Sequence, residues 1–161
     1  MIATIICSIL ITASVVTSFR SSTYGSPLGF FALCTAGIVP EISMPLPTYI
    51  FWGVATIIVI ALGYVLPPAI SGSRLGLSYI AGGASVGAVI GLAIGSEAAI
   101  IIASVAGSAL GGVAFGRTPR GRILDFPTSR FFNYLCAKGL PSAVAMSLNG
   151  IAAAIIIASM H

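Results

Sequence analysis

Long apolar runs, separated by single charges or by prolines, dominate the sequence. The runs without any charge cover residues 2–19, 49–66, 75–96, 98–116 and 141–160. A helix needs about 20 mostly apolar residues to cross a hydrocarbon core of about 30 Å. The pattern therefore predicts an all-α integral membrane protein in which the spans belong to a single multi-pass domain, residues 1–161.

A further apolar segment is shorter than these runs. Residues 30–39 carry no charge and lie between Ser26-Pro27 and Pro40-Glu41, but about 10 helical residues reach only about 15 Å. Segment 28–40 is therefore predicted to be either a short span or a re-entrant half-helix. The chain has six transmembrane helices in the first case and five in the second. The same choice decides on which side of the membrane the N-terminus lies.

The charges between the runs alternate in sign along the chain. In a six-span arrangement the successive connections carry Arg20, Glu41, Arg74, Glu97 and then the basic segment 117–140. Connections that carry basic residues then share one side of the membrane, which the positive-inside rule assigns to the cytoplasm. We therefore expect cytoplasmic basic loops and place both chain ends on the opposite side.

The composition narrows the function classes further. Only 6% of the 161 residues are charged, with seven Lys and Arg against three Asp and Glu. A soluble domain carries about a quarter of its residues as charged side chains, so this chain cannot cover a soluble globule with charge. The composition excludes an ordinary soluble enzyme and a nucleic-acid binder that relies on a basic surface.

Glycine recurs at every fourth position in the run 75–96. The series is Gly83, Gly87, Gly91 and Gly95, and the next run has related stripes with Gly107, Gly111, Gly112 and Gly116. Residues four apart share a helix face, and small residues let helices approach closely in lipid. The two runs therefore predict a glycine-striped helical hairpin. Packing against another copy, packing against a different subunit, and a glycine-lined permeation path remain open alternatives.

The basic segment 117–140 is predicted to lie at the cytoplasmic membrane surface. Its candidate contacts with lipid or a partner are Arg117, Arg120, Arg122, Arg130, Lys138, Phe131 and Phe132. Thr128 can cap a short amphipathic helix that ends before Pro141. Phe131 and Phe132 share its apolar side, and Lys138 lies away from that side. This arrangement is typical of a helix in the interface plane. The alternatives are that the basic turn binds a phosphate or an acidic partner, and that a cytoplasmic domain docks on the short helix.

Side chains that could perform catalysis or bind a metal are few and scattered. The three cysteines have no metal-ligand spacing, and the single histidine is the last residue. We therefore expect no catalytic site, no metal site and no cofactor. Serines inside apolar runs, such as Ser14 and Ser85, are expected to bond to their own helix backbone. Glu97 is the one candidate ion-handling acid, but its position between two full-length runs favours the outer turn of a hairpin over that role.

The order of motifs from Gly63 onward resembles a known family. The matching segments are Tyr64-Val-Leu-Pro67, Gly72-Ser-Arg-Leu-Gly76, Gly83-Ala-Ser-Val-Gly87-Ala-Val-Ile-Gly91-Leu and Gly107-Ser-Ala-Leu-Gly111. This order is similar to the small glycine-rich bacterial membrane proteins catalogued as a domain of unknown function (family 456). The chain differs at Gly63, where the family often has Asp, and at Gly112, where Glu is common. The resemblance implies a bacterial inner-membrane protein and no particular activity.

The sequence as a whole predicts a non-enzymatic, multi-pass inner-membrane protein. We expect an accessory or structural subunit of a larger membrane complex, assembled through glycine-mediated helix packing. Its expected partners are the lipid bilayer and other membrane subunits or further copies of the chain, and no nucleic acid. The alternative function is a small oligomeric transporter or channel that uses Glu97 and a broken helix near Pro40.

Overall fold

Helices form all the regular structure that is described. A computed structural model describes residues 2–38, 44–66, 75–122, 124 and 128–159, and these contain no strand. The helices are α1 (Ile2–Arg20), α2 (Ser22–Ala36), α3 (Leu46–Val65), α4 (Leu77–Ile94), α5 (Glu97–Gly116), α6 (Ser129–Tyr134) and α7 (Leu140–Ala158), with a π-helical segment, Leu135–Gly139, between α6 and α7. Five stretches, namely α1, α3, α4, α5 and Ser129–Ala158, are long and apolar enough to cross a membrane. The predicted all-helical fold is confirmed, and these five helices indicate a membrane protein.

The short apolar segment belongs to α2, which starts earlier than predicted. We expected Pro27 to precede this helix, but it lies inside it. A proline lacks the N–H that would bond the carbonyl four residues earlier, which here is that of Thr23. The Ser26 hydroxyl donates to this carbonyl at 3.4 Å, so the helix continues past the proline. The 15 residues of α2 extend about 22 Å, and the helix is not among the five candidate spans.

The start of α3 also precedes the predicted one. α3 begins at Leu46, with Pro47 in its first turn, whereas the apolar run predicted a start at residue 49. The first N–H groups of a helix have no partner within it, so a proline at this position loses no hydrogen bond. The predicted boundaries of α4 and α5 differ from the observed ones by two residues or fewer.

The prediction of a separate interfacial helix before the last span is wrong. α6, the π-helical segment and α7 follow one another without a break, and Ser129–Ala158 forms one helical stretch of 30 residues. Gly139 has ordinary helical dihedral angles and Pro141 lies in the first turn of α7. The wider π turn before Pro141 accommodates the proline, so Gly139 and Pro141 do not end the helix.

α7 is the central helix of the fold. It contacts α1, α2, α3, α4 and α5. In the span window of Ser129–Ala158, 72% of the residues are buried, against 17% in α1 and 17% in α3. α7 is therefore surrounded by protein, whereas α1 and α3 present most of their surface to the environment.

Two buried clusters show which helix ends lie together. The first combines the first half of α1, the second half of α2, the start of α5 and the second half of α7, including Cys7, Ala36, Ile100 and Ile155. The second, at the other end of the bundle, contains Ile80, Phe115 and Tyr134. The α1–α2 turn with Arg20 therefore lies at the same end as Arg117, and Glu97 lies at the opposite end. We call these the basic end and the Glu97 end; Glu41, Arg74 and Asp125 are outside the described residues.

Candidate functional site

The glycines of α4 and α5 bring the two helix backbones into direct contact. The positions where an added Cβ would strike backbone of the facing helix are Gly83 at Gly107, Gly87 at Ala103, Gly91 at Ile100, Gly107 at Gly83 and Gly111 at Tyr79. Backbone atoms cannot rotate out of the way, so any side chain at these positions would push the helices apart. We call this set the glycine interface, and it uses the close approach that favours helix association in lipid.

Three of the predicted stripe glycines lie outside the glycine interface. Gly95 has a φ of 76° and ends α4 in the left-handed conformation, with no described atom within 4 Å of an added Cβ. The neighbouring stripe, Gly112 and Gly116, faces residues that follow α5 in the chain. A Cβ at Gly112 would lie 3.5 Å from Leu135, and one at Gly116 would lie 3.3 Å from the Leu124 carbonyl oxygen.

Lys138 is buried at the basic end, contrary to its predicted position at the surface. Only 1% of its surface is exposed, because the π-helical segment changes the helical register at this point. Its Nζ atom donates to the Leu75 carbonyl oxygen at 3.1 Å and lies 5.0 Å from the Tyr134 ring centre. The Tyr134 hydroxyl donates to the same carbonyl at 2.6 Å. Together these two side chains fix the chain just before α4.

The other predicted contacts of the basic segment divide between surface and core. Arg117, Arg120, Arg122 and Arg130 are all exposed. The two phenylalanines, predicted to share an apolar side, point in different directions: Phe131 is 2% exposed and Phe132 is 52% exposed. Adjacent helical residues project about 100° apart, so Phe131 packs towards Gly112 while Phe132 faces outward.

A groove of about 630 Å³ opens at the basic end, between the start of α4 and the end of α5. Its lining residues are Leu75, Gly76, Ser78, Tyr79, Phe115, Thr118, Pro119 and Arg120. We call it the basic-end groove. Sequence reasoning did not find it, because it combines residues about 40 positions apart that only the α4–α5 hairpin brings together.

Glu97 lies at the other end of the same hairpin. It is exposed and belongs to the first turn of α5, directly after the turn formed by Gly95 and Ser96. An acid in the first turn of a helix interacts favourably with the helix dipole. This position corresponds to the hairpin-turn interpretation of Glu97; Pro40, the other residue of the transport hypothesis, lies outside the described residues.

A buried polar contact joins α1, α2 and α7. The Asn149 side-chain amide donates to Ser14 Oγ at 2.9 Å, and Ser14 Oγ donates to the Gly25 carbonyl oxygen at 2.7 Å. Ser14 was expected to bond its own helix, as Ser85 does through the Ala81 carbonyl at 2.7 Å. An asparagine within the last apolar run was the signal that could have indicated such an interhelical bond.

The outer face of α1 carries a shallow groove of about 620 Å³. Its lining residues are Thr4, Ile5, Ser8, Ile9, Thr12, Ala13 and Val16. The Ser8 hydroxyl donates to the Thr4 carbonyl and the Thr12 hydroxyl to the Ser8 carbonyl, each at 2.8 Å. These short side chains lie flat along their own helix and leave the groove open. We call it the α1 groove.

Neither a metal site in the described residues nor a similar protein indicates a function for the chain. Within the described part of the chain, no group of three His, Cys, Asp or Glu side chains could hold a metal ion. No family model matches the sequence, and no curated protein or solved structure matches it. The resemblance to the glycine-rich bacterial family therefore stays a prediction.

Proposed function

We propose that this protein is a non-enzymatic, multi-pass membrane protein that acts as an accessory or structural subunit of a larger membrane complex. The observation that carries this proposal is the contrast between a buried centre and open outer helices. The span window of Ser129–Ala158 is 72% buried, whereas those of α1 and α3 are 17% buried. The outer faces of α1 and α3 therefore form the surface available to partner helices.

The α1 groove is the contact that we propose for a partner helix. Association of helices in lipid depends on close packing at small side chains. Ser8, Thr12 and Ala13 supply such side chains, and Ile5 and Ile9 flank them. In this proposal the glycine interface has a different task, because its backbone contacts are used within the α4–α5 hairpin. The glycine interface holds α4 and α5 together as a rigid part of the subunit, and the α1 groove contacts the partner helix.

The orientation and location belong to the same proposal. The exposed arginines of the basic end would face the cytoplasm under the positive-inside rule, and Glu97 would face the other side. The resemblance to the glycine-rich bacterial family supports the inner membrane as the location. Reactivity of single cysteines introduced at Arg120 and Glu97 towards a membrane-impermeant thiol reagent, in a background without the native cysteines, tests the orientation.

Copurification tests the subunit role. Tagged protein is extracted in mild detergent, and whatever remains bound is identified by mass spectrometry. Ile9→Trp fills the α1 groove, and Val89→Trp is the matched control, since Ile9 is 62% exposed and Val89 on α4 is 66% exposed. We expect Ile9→Trp to lose a specific partner subunit or a second copy that Val89→Trp retains. A wild-type chain that copurifies neither would contradict the proposal.

The alternative function, transport, predicts a different result. A purified transporter would carry an ion or solute into liposomes and would lose that flux in Glu97→Gln. The exposed position of Glu97 at a hairpin turn gives this function less support than the open face of α1 gives to partner binding.

A further inference from the structure

The basic-end groove combines a polar rim with an aromatic wall. Arg120 and Ser78 lie on its polar side, and both are exposed. Tyr79 and Phe115 form the apolar side, with their ring centres 5.7 Å apart. Tyr79 remains 47% exposed. A groove with these two sides is suited to a ligand that is charged at one end and apolar at the other.

A tight turn holds Arg120 at the rim of the groove. The Gly121 N–H donates to the Thr118 carbonyl at 2.9 Å and to Thr118 Oγ1 at 3.2 Å. The Thr118 hydroxyl in turn donates to the Phe115 carbonyl at 2.6 Å. Arg120 lies inside this turn, so its backbone is fixed beside the groove. Arginine is the side chain best suited to bind a phosphate group through two parallel hydrogen bonds.

The start of α4 adds a hydrogen-bond donor to the polar side of the groove. The first N–H groups of a helix have no acceptor within the helix, and the helix dipole favours an anion there. Ser78 carries one of these N–H groups and lines the groove. The chain enters α4 through Gly76, whose φ is 72°. An added Cβ at Gly76 would strike Tyr134 and Phe115. Only a glycine therefore lets the chain turn into α4 this close to the aromatic wall.

Tyr134 and Lys138 position this entry into α4. Both donate to the Leu75 carbonyl, at 2.6 Å and 3.1 Å, and the Tyr134 ring stacks on Phe115 at 6.0 Å between ring centres. The ammonium of Lys138 also adds a positive charge behind the wall of the groove. Arg117 and Arg122 of the neighbouring turn are also exposed, but neither lines the groove.

We propose that the basic-end groove is a binding site for an anionic membrane lipid. The lipid phosphate binds Arg120 and the hydroxyl and amide groups of Ser78. The acyl chains lie along the exposed side of Tyr79. The groove opens where α5 ends and the basic turn begins, which in a membrane-spanning hairpin is the depth of the headgroups. This site is independent of the proposed partner contact on α1, at a different helix of the bundle.

Lipid retention by the full-length protein tests this proposal. The purified protein is exchanged into detergent that contains phosphatidylglycerol and phosphatidylcholine, and native mass spectrometry counts the lipids that remain bound. We expect one phosphatidylglycerol to be retained in preference to phosphatidylcholine. Arg120→Gln should weaken this retention by about tenfold, the size expected for a lost charge-assisted hydrogen bond.

Arg122→Gln is the matched control for Arg120→Gln. It removes the same charge from the same turn but does not line the groove, so we expect the bound phosphatidylglycerol to remain. Equal loss in both variants would mean that the lipid responds only to net charge, which would overturn the site. Thermal unfolding of each variant checks that the fold is retained.

Two further measurements separate the components of the site. Tyr134→Phe removes one donor to the Leu75 carbonyl but keeps the ring, and we expect retention of phosphatidylglycerol to fall about threefold.

Inorganic phosphate is added as a competitor in the second measurement. Displacement of phosphatidylglycerol by an equal concentration of inorganic phosphate would show a phosphate-ion site without a contribution from the acyl chains, and would overturn the assignment to a lipid.

Discussion

Two helical hairpins in this chain pack by different means. In the α4–α5 hairpin, glycines remove the side chains, so one helix backbone lies directly on the other. In the α1–α2 hairpin, side chains bridge the helices by hydrogen bonds: Ser14 Oγ donates to the Gly25 carbonyl at 2.7 Å, and the Cys7 thiol donates to the Ala32 carbonyl at 3.2 Å. In lipid, apolar burial gives helices little preference for one another, and these are the two remaining ways to associate.

The two kinds of contact differ in their tolerance of change. A backbone-to-backbone contact has no movable atom, so an added methyl group must separate the helices along their length. A contact that includes a side chain can be relieved by shortening or rotating that side chain. A small added group should therefore cause a large loss of stability in the α4–α5 hairpin. In the α1–α2 hairpin the loss of stability should increase gradually with the size of the change.

The largest effects are expected for substitutions in the glycine interface, and Gly87→Ala is the smallest change that tests it. Its methyl group would strike the Ala103 backbone, and we expect a loss of about 3 kcal/mol in unfolding free energy, at the upper end of the range for overpacking. Gly82→Ala is the matched control on the same helix, because no described atom lies within 4 Å of its added Cβ. The free energy of unfolding in detergent, measured by denaturant titration, should be unchanged in the control within about 0.5 kcal/mol.

A second-site change sharpens this prediction. Ala103→Gly removes only a side chain and leaves the obstructing backbone in place, so it should not rescue Gly87→Ala.

The replacements Gly87→Leu and Gly91→Leu should prevent the hairpin from forming altogether. If both leucine variants keep the fold, the glycine interface does not determine the packing of α4 on α5.

An intermediate effect is expected for Gly25→Ala in the α1–α2 hairpin. Here the added methyl group would strike the Ser18 hydroxyl, a side-chain atom, and we expect a loss of about 2 kcal/mol. Ser18→Ala should recover about 1 kcal/mol of this in the double variant, as judged by a double-mutant cycle. Strict additivity of the two substitutions would mean that the side chain of Ser18 is not what restricts this position.

A smaller effect is expected for the bond that ties the α1–α2 hairpin to α7. A cycle of Ser14→Ala and Asn149→Ala should give a coupling energy of about 1 kcal/mol, within the range for hydrogen bonds between membrane helices. Ser8→Ala is the control on the same helix, because the Ser8 hydroxyl donates at 2.8 Å to its own helix at Thr4. A coupling energy of zero would mean that the Asn149 amide donates to an acceptor other than Ser14 Oγ.

The smallest effect is expected at the turn of the α4–α5 hairpin. Glu97→Gln removes an exposed acid from the first turn of α5, and its favourable interaction with the helix dipole is screened by solvent. The midpoint of thermal unfolding should shift less than in any of the variants above that are not controls. A large loss of stability would show that Glu97 does more than end the hairpin.

The sequence predicted those features that depend on local pattern. Apolar runs gave the positions of α1, α3, α4 and α5, and a four-residue spacing placed Gly83, Gly87 and Gly91 on one face. Helix ends were less predictable, because Pro27 and Pro141 both lie within helical stretches that they were expected to delimit. Their accommodation depends on Ser26 and on the π-helical segment, which the position of a proline alone does not reveal.

Features that depend on distant partners were not predictable. Buried Lys138 donates its hydrogen bond to the Leu75 carbonyl, 63 residues away in sequence. The Asn149–Ser14 bond joins residues 135 positions apart. A single sequence can indicate that a side chain such as Asn149 needs a partner, but it does not identify the partner, whereas the face of a helix can be read from its own residues. The basic-end groove depends on the same kind of long-range pairing.

The central position of α7 has a consequence for how the protein is made. A chain emerges from the ribosome from its N-terminus onward, so α7 is synthesised after all five of the helices that it contacts. Until α7 packs against them, the Ser14 hydroxyl lacks its donor from Asn149. The two hairpins can close while translation continues, but the core is completed only when Leu140–Ala158 has packed between them.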